Sequence, residues 1–94
     1  MLTLPIKKQW FKMLLSGEKQ FEYREIKPYY RQRLERYVGK DVVVKFRNGY
    51  SSESPYLVAK VRISIGTGNP KWGARQGEIY YCLHLLEIYE VSND

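Results

Sequence analysis

From Asp41 onward the chain alternates with a period of two, and that alternation limits its fold more than any other feature. In DVVVKFR, residues 41–47, Val42, Val44 and Phe46 stand against Val43, Lys45 and Arg47. In YLVAKVRISI, residues 56–65, Leu57, Ala59, Val61, Ile63 and Ile65 share one side, with Lys60, Arg62 and Ser64 opposite. Successive strand side chains point to opposite faces, so this pattern fits a sheet with one face buried and one wet. Asn48-Gly49-Tyr50 lies between the two runs, and Asn-Gly is a strong hairpin signal, so a turn is expected there. The chain closes on EIYYCLHLLEIYEV, residues 78–91, which reads as one long strand. Its apolar pattern shifts near Leu86–Glu87, where a bulge or bend is expected.

The first half mixes periods. LTLPI, residues 2–6, reads as a short strand, with Pro5 near its end or on an edge because proline cannot donate to a ladder. KKQWFKMLLSG, residues 7–17, reads as a helix. Trp10, Phe11, Met13, Leu14 and Leu15 form its apolar side, and Gly17 suits the left-handed position that ends helices. Gln20–Ile26 alternates again as a strand: Gln20, Glu22 and Arg24 on one face, Phe21 and Tyr23 on the other. The apolar face is expected to meet the core, which leaves Glu22 and Arg24 as neighbours on the outer face. Pro28 opens a second helix through about Val38, buried along Tyr30, Leu34, Tyr37 and Val38. The expected class is α+β: a small, mostly antiparallel β-barrel of about five to six strands with two flanking helices.

A chain of 94 residues fits one domain, residues 1–94. No apolar run approaches the roughly 20 residues of a membrane span. The start, MLTLPIKKQW, lacks the order of a signal peptide, so a cytoplasmic protein with no membrane association is expected. The single cysteine, Cys82, excludes an internal disulfide, and with one histidine, His84, a four-ligand zinc site is not expected. Both read as core residues, and no metal or cofactor is implied.

The charge is lopsided. The chain carries +6, but residues 1–47 hold 12 Lys/Arg against 5 Asp/Glu, and residues 48–94 hold 4 against 5. A surplus confined to one half points to a polyanion, with nucleic acid the first candidate; the alternative is plain solubility. Lys7 and Lys8 fall in the first turn of the first helix, where the macrodipole is already positive. A bound phosphate would relieve that conflict, and so would two side chains turned to water. Residues 66–77, GTGNPKWGARQG, form one long loop carrying Lys71, Trp72 and Arg75. A tryptophan beside cations on a loop is a candidate binding element.

The segment LSGEKQFEYR contains G-x-K-x-x-E-x-R as Gly17, Lys19, Glu22 and Arg24, and this resembles the signature of ASCH domains. The order of segments around it is similar as well: the helix QWFKMLLSG before it, VKFRNGY after it, and a WGA…GE loop running into YYCLHLLEI. The resemblance spans nearly the whole chain. It implies a PUA-like barrel and a cleft, lined by the signature residues, that binds RNA or nucleotides. Some relatives are small amidohydrolases that deacetylate N4-acetylcytidine, with the signature lysine as base, a threonine three residues on as nucleophile, and a distant glutamate as acid; another relative is described as a ribonuclease. Here the lysine corresponds to Lys19, and Glu22 stands where those enzymes place threonine.

Three functions are therefore weighed. In the first, a basic cleft binds RNA or a nucleotide: Lys7, Lys8, Lys19 and Arg24 take phosphates, Arg47 and Arg75 extend the groove, Trp72 stacks on a base, and Glu22 orients the cations or accepts from a base or the ribose 2′-OH. Steep salt dependence is expected of it. In the second, Lys19 and Glu22 act as catalytic acid and base in a small hydrolase of RNA or a modified nucleoside; the alternative for that pair is an exposed strand salt bridge. In the third, Trp72 and the tyrosines grip a protein partner.

Overall fold

A computed structural model describes residues 1–92. Its elements run β1 (Leu2–Pro5), α1 (Lys8–Ser16), β2 (Phe21–Glu25), α2 (Pro28–Leu34), a 3-10 turn (Glu35–Tyr37), β3 (Asp41–Arg47), β4 (Tyr56–Thr67), a second 3-10 turn (Pro70–Trp72) and β5 (Ile79–Val91). The chain is α+β, and its five strands form a curled mixed sheet in the order β1-β3-β4-β5-β2. Three pairings are antiparallel; β1 lies parallel to β3, with Leu2 opposite Val44 and Pro5 opposite Arg47. Pro5 ends an edge strand, as its missing N–H requires.

β4 and β5 are the spine of the sheet. Their pairing slips twice: Leu86 and Tyr89 are each skipped as the ladder passes from Val61–Leu85 to Lys60–Glu87 and from Ala59–Ile88 to Val58–Glu90. Extra residues of this kind bend a strand and increase its twist, and the first lies where the apolar pattern shifts. The concave face holds the core: Leu4, Phe11, Leu14, Leu34, Val44, Phe46, Leu57, Ala59, Val61, Ile63, Tyr81 and Leu83 are all buried together. α1 contributes Phe11 and Leu14, α2 contributes Leu34, and Tyr30, Tyr37 and Val38 pack at the margin. α2 ends four residues earlier than its apolar stripe suggests, because the chain tightens into the 3-10 turn.

The turn expected at Asn48-Gly49-Tyr50 opens a longer hairpin connection between β3 and β4. Arg47 pairs with Tyr56 across a loop of residues 48–55, closed by Asn48 N–H to the Pro55 carbonyl at 2.8 Å and by a Ser51–Ser54 turn. The faces of β2 are the reverse of those expected. Glu22 pairs with Leu83 and Arg24 with Tyr81, so the charged residues share the core face of β5. Phe21 and Tyr23 instead face a second, smaller apolar layer with Ala74, Tyr80 and Cys82, roofed by the loop after β4. His84, expected in the core, is half-buried there with its ring stacked on Phe21 at 4.3 Å.

That roof depends on close approach at Gly68. A Cβ there would lie 2.6 Å from the Ala74 Cβ and 2.7 Å from the Tyr23 ring, whereas one at Gly66 meets nothing within 4 Å. Gly68→Ala is expected to lower stability by about 1–3 kcal/mol, the usual cost of overpacking, with Gly66→Ala near wild type. Denaturant melts of the two variants check this; equal melts would mean that the loop is not packed this closely.

Candidate functional site

The end of α1 sets up the site. Gly17 takes φ 85°, its N–H reaches the Leu14 carbonyl, and the Lys19 N–H reaches the Met13 carbonyl at 3.0 Å. This wrap turns the chain back across the helix end and carries Lys19 inward ahead of β2. Lys19 is 1% exposed, Glu22 6% and Arg24 8%. The exposed strand salt bridge weighed as the alternative for Lys19 and Glu22 does not form; with Arg24 they make a buried triad.

Glu22 is the hub. Its Oε2 accepts from Arg24 Nε at 2.8 Å and Nη2 at 2.6 Å, and its Oε1 lies 3.3 Å from Lys19 Nζ. Arg24 also donates from Nη1 to the Tyr30 hydroxyl at 3.2 Å and from Nη2 to the Pro5 carbonyl at 2.8 Å. The last bond ties β2, at one edge of the sheet, to the end of β1, at the other. Lys19 Nζ donates to the Trp72 carbonyl at 2.5 Å and lies over the rings of Trp10 at 4.8 Å and Tyr23 at 5.2 Å. Burial lowers the Lys19 pKa below 10.5, a fall that Glu22 opposes and Arg24 reinforces. Burial works to lower that of Arg24 too, but Glu22 and Tyr30 outweigh it and the net shift is upward.

Above this triad opens a cleft of about 660 Å³. Glu22 and Arg24 form its floor, Lys7, Lys8 and Arg75 stand on its rim, and Trp72 forms a wall. Six of the eight residues singled out from the sequence therefore converge on one opening. Lys19 does not line it; it is sealed beneath, under Trp72. Arg47 is also outside the lining, at the end of β3 with Nε buried and without a hydrogen-bond partner among the described residues.

The cleft has members that pattern reasoning passed over. Tyr50, read only as part of a turn, stands 89% exposed at the mouth. An aromatic within a polar serine-rich stretch, with no apolar neighbour to bury it, was the available signal. Trp10 and Tyr30, assigned to the core by helical spacing, pack on the core and also line the cleft. Tyr80 lines it as well, and its hydroxyl accepts from the Arg75 N–H at 2.8 Å. The lining also brings Glu25 and Glu78, so four cations face three carboxylates, a far weaker surplus than the charge of the first half suggests.

No family model, no curated protein and no solved structure matches the chain. No helix among the described residues is long and apolar enough to cross a membrane.

Two predictions follow from these burials. Arg24→Met leaves Glu22 with a single cation and is expected to cost about 3–5 kcal/mol, as broken buried ion pairs do. Arg24→Lys should recover only part, because one ammonium cannot span Glu22, Tyr30 and Pro5; full recovery in a denaturant melt would deny the guanidinium its bracing role. Tyr81 is fully buried and donates to Glu35, and burial first and the Glu35 carboxylate second push its phenol above 10.0. A raised folded-state pKa contributes stability that is complete below the unfolded value and is lost as pH rises through the folded one. Tyr81→Phe should therefore cost about 1.5 kcal/mol at neutral pH, the low end for a bond to a charged group, since Glu35 is exposed. The gap to wild type should narrow above pH 10; a gap that is constant to pH 11 would contradict it.

Proposed function

We propose that the chain binds RNA by holding one nucleotide unit in this cleft. The observation that carries the reading is the convergence of Lys7, Lys8, Arg24 and Arg75 with Trp72 and the exposed Tyr50 around one opening of about 660 Å³, a volume within the range of small-ligand pockets. Rim cations suit a phosphate, aromatic walls suit a base, and Glu22 has acceptor capacity left on Oε1 for a base N–H or the ribose 2′-OH. The G-x-K-x-x-E-x-R resemblance to ASCH domains points the same way, and a curled five-stranded sheet is compatible with a PUA-like fold.

The near balance of charge argues for a local grip instead of a long electrostatic track. A site that neutralises one to three phosphates has a slope of log K on log salt of only about −0.7 to −2 for a single strand. Titration of short single-stranded RNA and of nucleoside monophosphates, followed by tryptophan fluorescence at several salt concentrations, is the test. Binding with that shallow slope is expected. Lys8→Glu with Arg75→Glu should abolish it, and Tyr50→Ala should weaken it by about 1–3 kcal/mol, the worth of a base stack, without moving the melting temperature. Affinity indifferent to all three changes would overturn the reading.

A second reading, hydrolysis of RNA or a modified nucleoside, rests on the lowered pKa of Lys19 beside Glu22. A general base must lie within hydrogen-bond reach of the proton it removes, and Lys19 Nζ is turned instead to the Trp72 carbonyl and Glu22. Product from RNA or N4-acetylcytidine, absent with Lys19→Ala, would place catalysis first.

A further inference from the structure

We propose that Lys19 is a positioning residue: its buried ammonium latches the Trp72 segment to the Glu22 floor and so sets the width of the cleft. The proposal rests on the binding reading above, and it gives Lys19 no contact with the ligand. Three observations carry it. Lys19 is sealed from solvent and absent from the cleft lining, so a ligand meets Glu22, Trp72 and Trp10 before it meets Nζ. The same Nζ touches wall and floor, the Trp72 carbonyl at 2.5 Å and Glu22 Oε1 at 3.3 Å. It is centred between acceptors and ring faces, the Trp10 and Tyr23 rings lying 4.8 and 5.2 Å away, which is the surrounding of a cation held in place.

Besides the Trp72 ring, stacked on Phe21 at 6.4 Å, and the buried Ala74, the segment is pinned at its two ends. The Asn69 N–H donates to the Tyr23 hydroxyl at 3.0 Å and the Arg75 N–H to the Tyr80 hydroxyl at 2.8 Å. Between these anchors Gly73 takes φ 99° and passes so close to Trp10 that a Cβ would lie 3.2 Å from the indole. The Lys19 bond thus fixes the backbone at the middle of the segment, the Phe21 stack holds the Trp72 ring, and Trp72 enters the cleft already ordered. An ordered wall spares the ligand the ordering cost of roughly 0.5–1.5 kcal/mol per side chain.

The test is Lys19→Met, which keeps an unbranched apolar stem and removes the ammonium. Fluorotryptophan labelling gives one fluorine resonance for each of the two tryptophans, and Trp72→Phe assigns them. In the folded variant the Trp72 resonance should sharpen and gain a larger solvent-isotope shift, and mononucleotide affinity should fall about three- to ten-fold, the equivalent of ordering one or two side chains. If affinity falls while the Trp72 resonance keeps its wild-type width and isotope shift, Lys19 acts on the ligand directly and the latch is wrong. If both stay at wild-type values, the latch is wrong and the binding reading survives. If wild type binds no nucleotide, the binding reading fails, and the fluorine signature alone still decides the latch. Should Lys19→Met fail to fold, Gly73→Ala strains the same segment from the loop side. It should release Trp72 in the same way, and an unchanged Trp72 signal there would overturn the proposal.

Discussion

One buried carboxylate organises this protein. Glu22 sits on the core face of the sheet between Lys19 and Arg24, and it is the counter-charge that both buried cations share. Such a triad is a poor source of net stability, because desolvation offsets most of the attraction. Its value is geometric. Each charge has directions left over after Glu22 is satisfied, and those directions go to backbone oxygens on distant segments: Arg24 to Pro5 on β1, Lys19 to Trp72 on the loop after β4.

The Arg24 bond braces the curled sheet, and the two bonds together mark where the cleft falls. β1 and β2 are opposite edges of the sheet, and a guanidinium reaching from one to the other stands in for the ladder that would close a full barrel. The bulges at Leu86 and Tyr89 bend the spine far enough to bring those edges within reach. The gap that the side chain bridges is also the floor of the cleft. The feature that completes the fold is therefore the feature on which a ligand rests, and substitutions in the triad act on folding and binding together.

Much of this was legible in the sequence, and the failures share a cause. Period-two alternation placed β3, β4 and β5, and the resemblance to the ASCH signature, not the alternation, grouped Lys19 with Glu22 and Arg24. Alternation also grouped Phe21 with Tyr23 and Glu22 with Arg24 correctly. It put the wrong group inward, because an apolar face is assigned to the core by default. Here two layers compete for it: the loop of residues 68–78 covers Phe21 and Tyr23 from outside, while the charges satisfy one another within. Neither the reach of that loop nor the mutual pairing is a property of β2 alone. Tyr50 escaped for a related reason. Asn48-Gly49 signals a turn but not its length, and only an eight-residue connection carries the tyrosine out to the mouth of the cleft.

The distribution of charge separates two roles that composition merges. The chain carries +6, yet the cleft lining holds a surplus of only one. Most of the excess lies elsewhere, including Arg31, Arg33 and Arg36 along α2 and the turn that follows it. Distributed surface charge acts through the long-range field: it raises the encounter rate with a polyanion and is screened by salt beyond roughly 10 Å. It carries little information about what is held. The cleft has the opposite character, with near balance, aromatic walls and a fixed carboxylate, so its discrimination comes from hydrogen bonds and stacking at short range. On this division, raising the ionic strength slows arrival at the protein far more than it weakens the grip of the cleft, and the net charge of the chain describes the approach of a ligand, not the site that receives it.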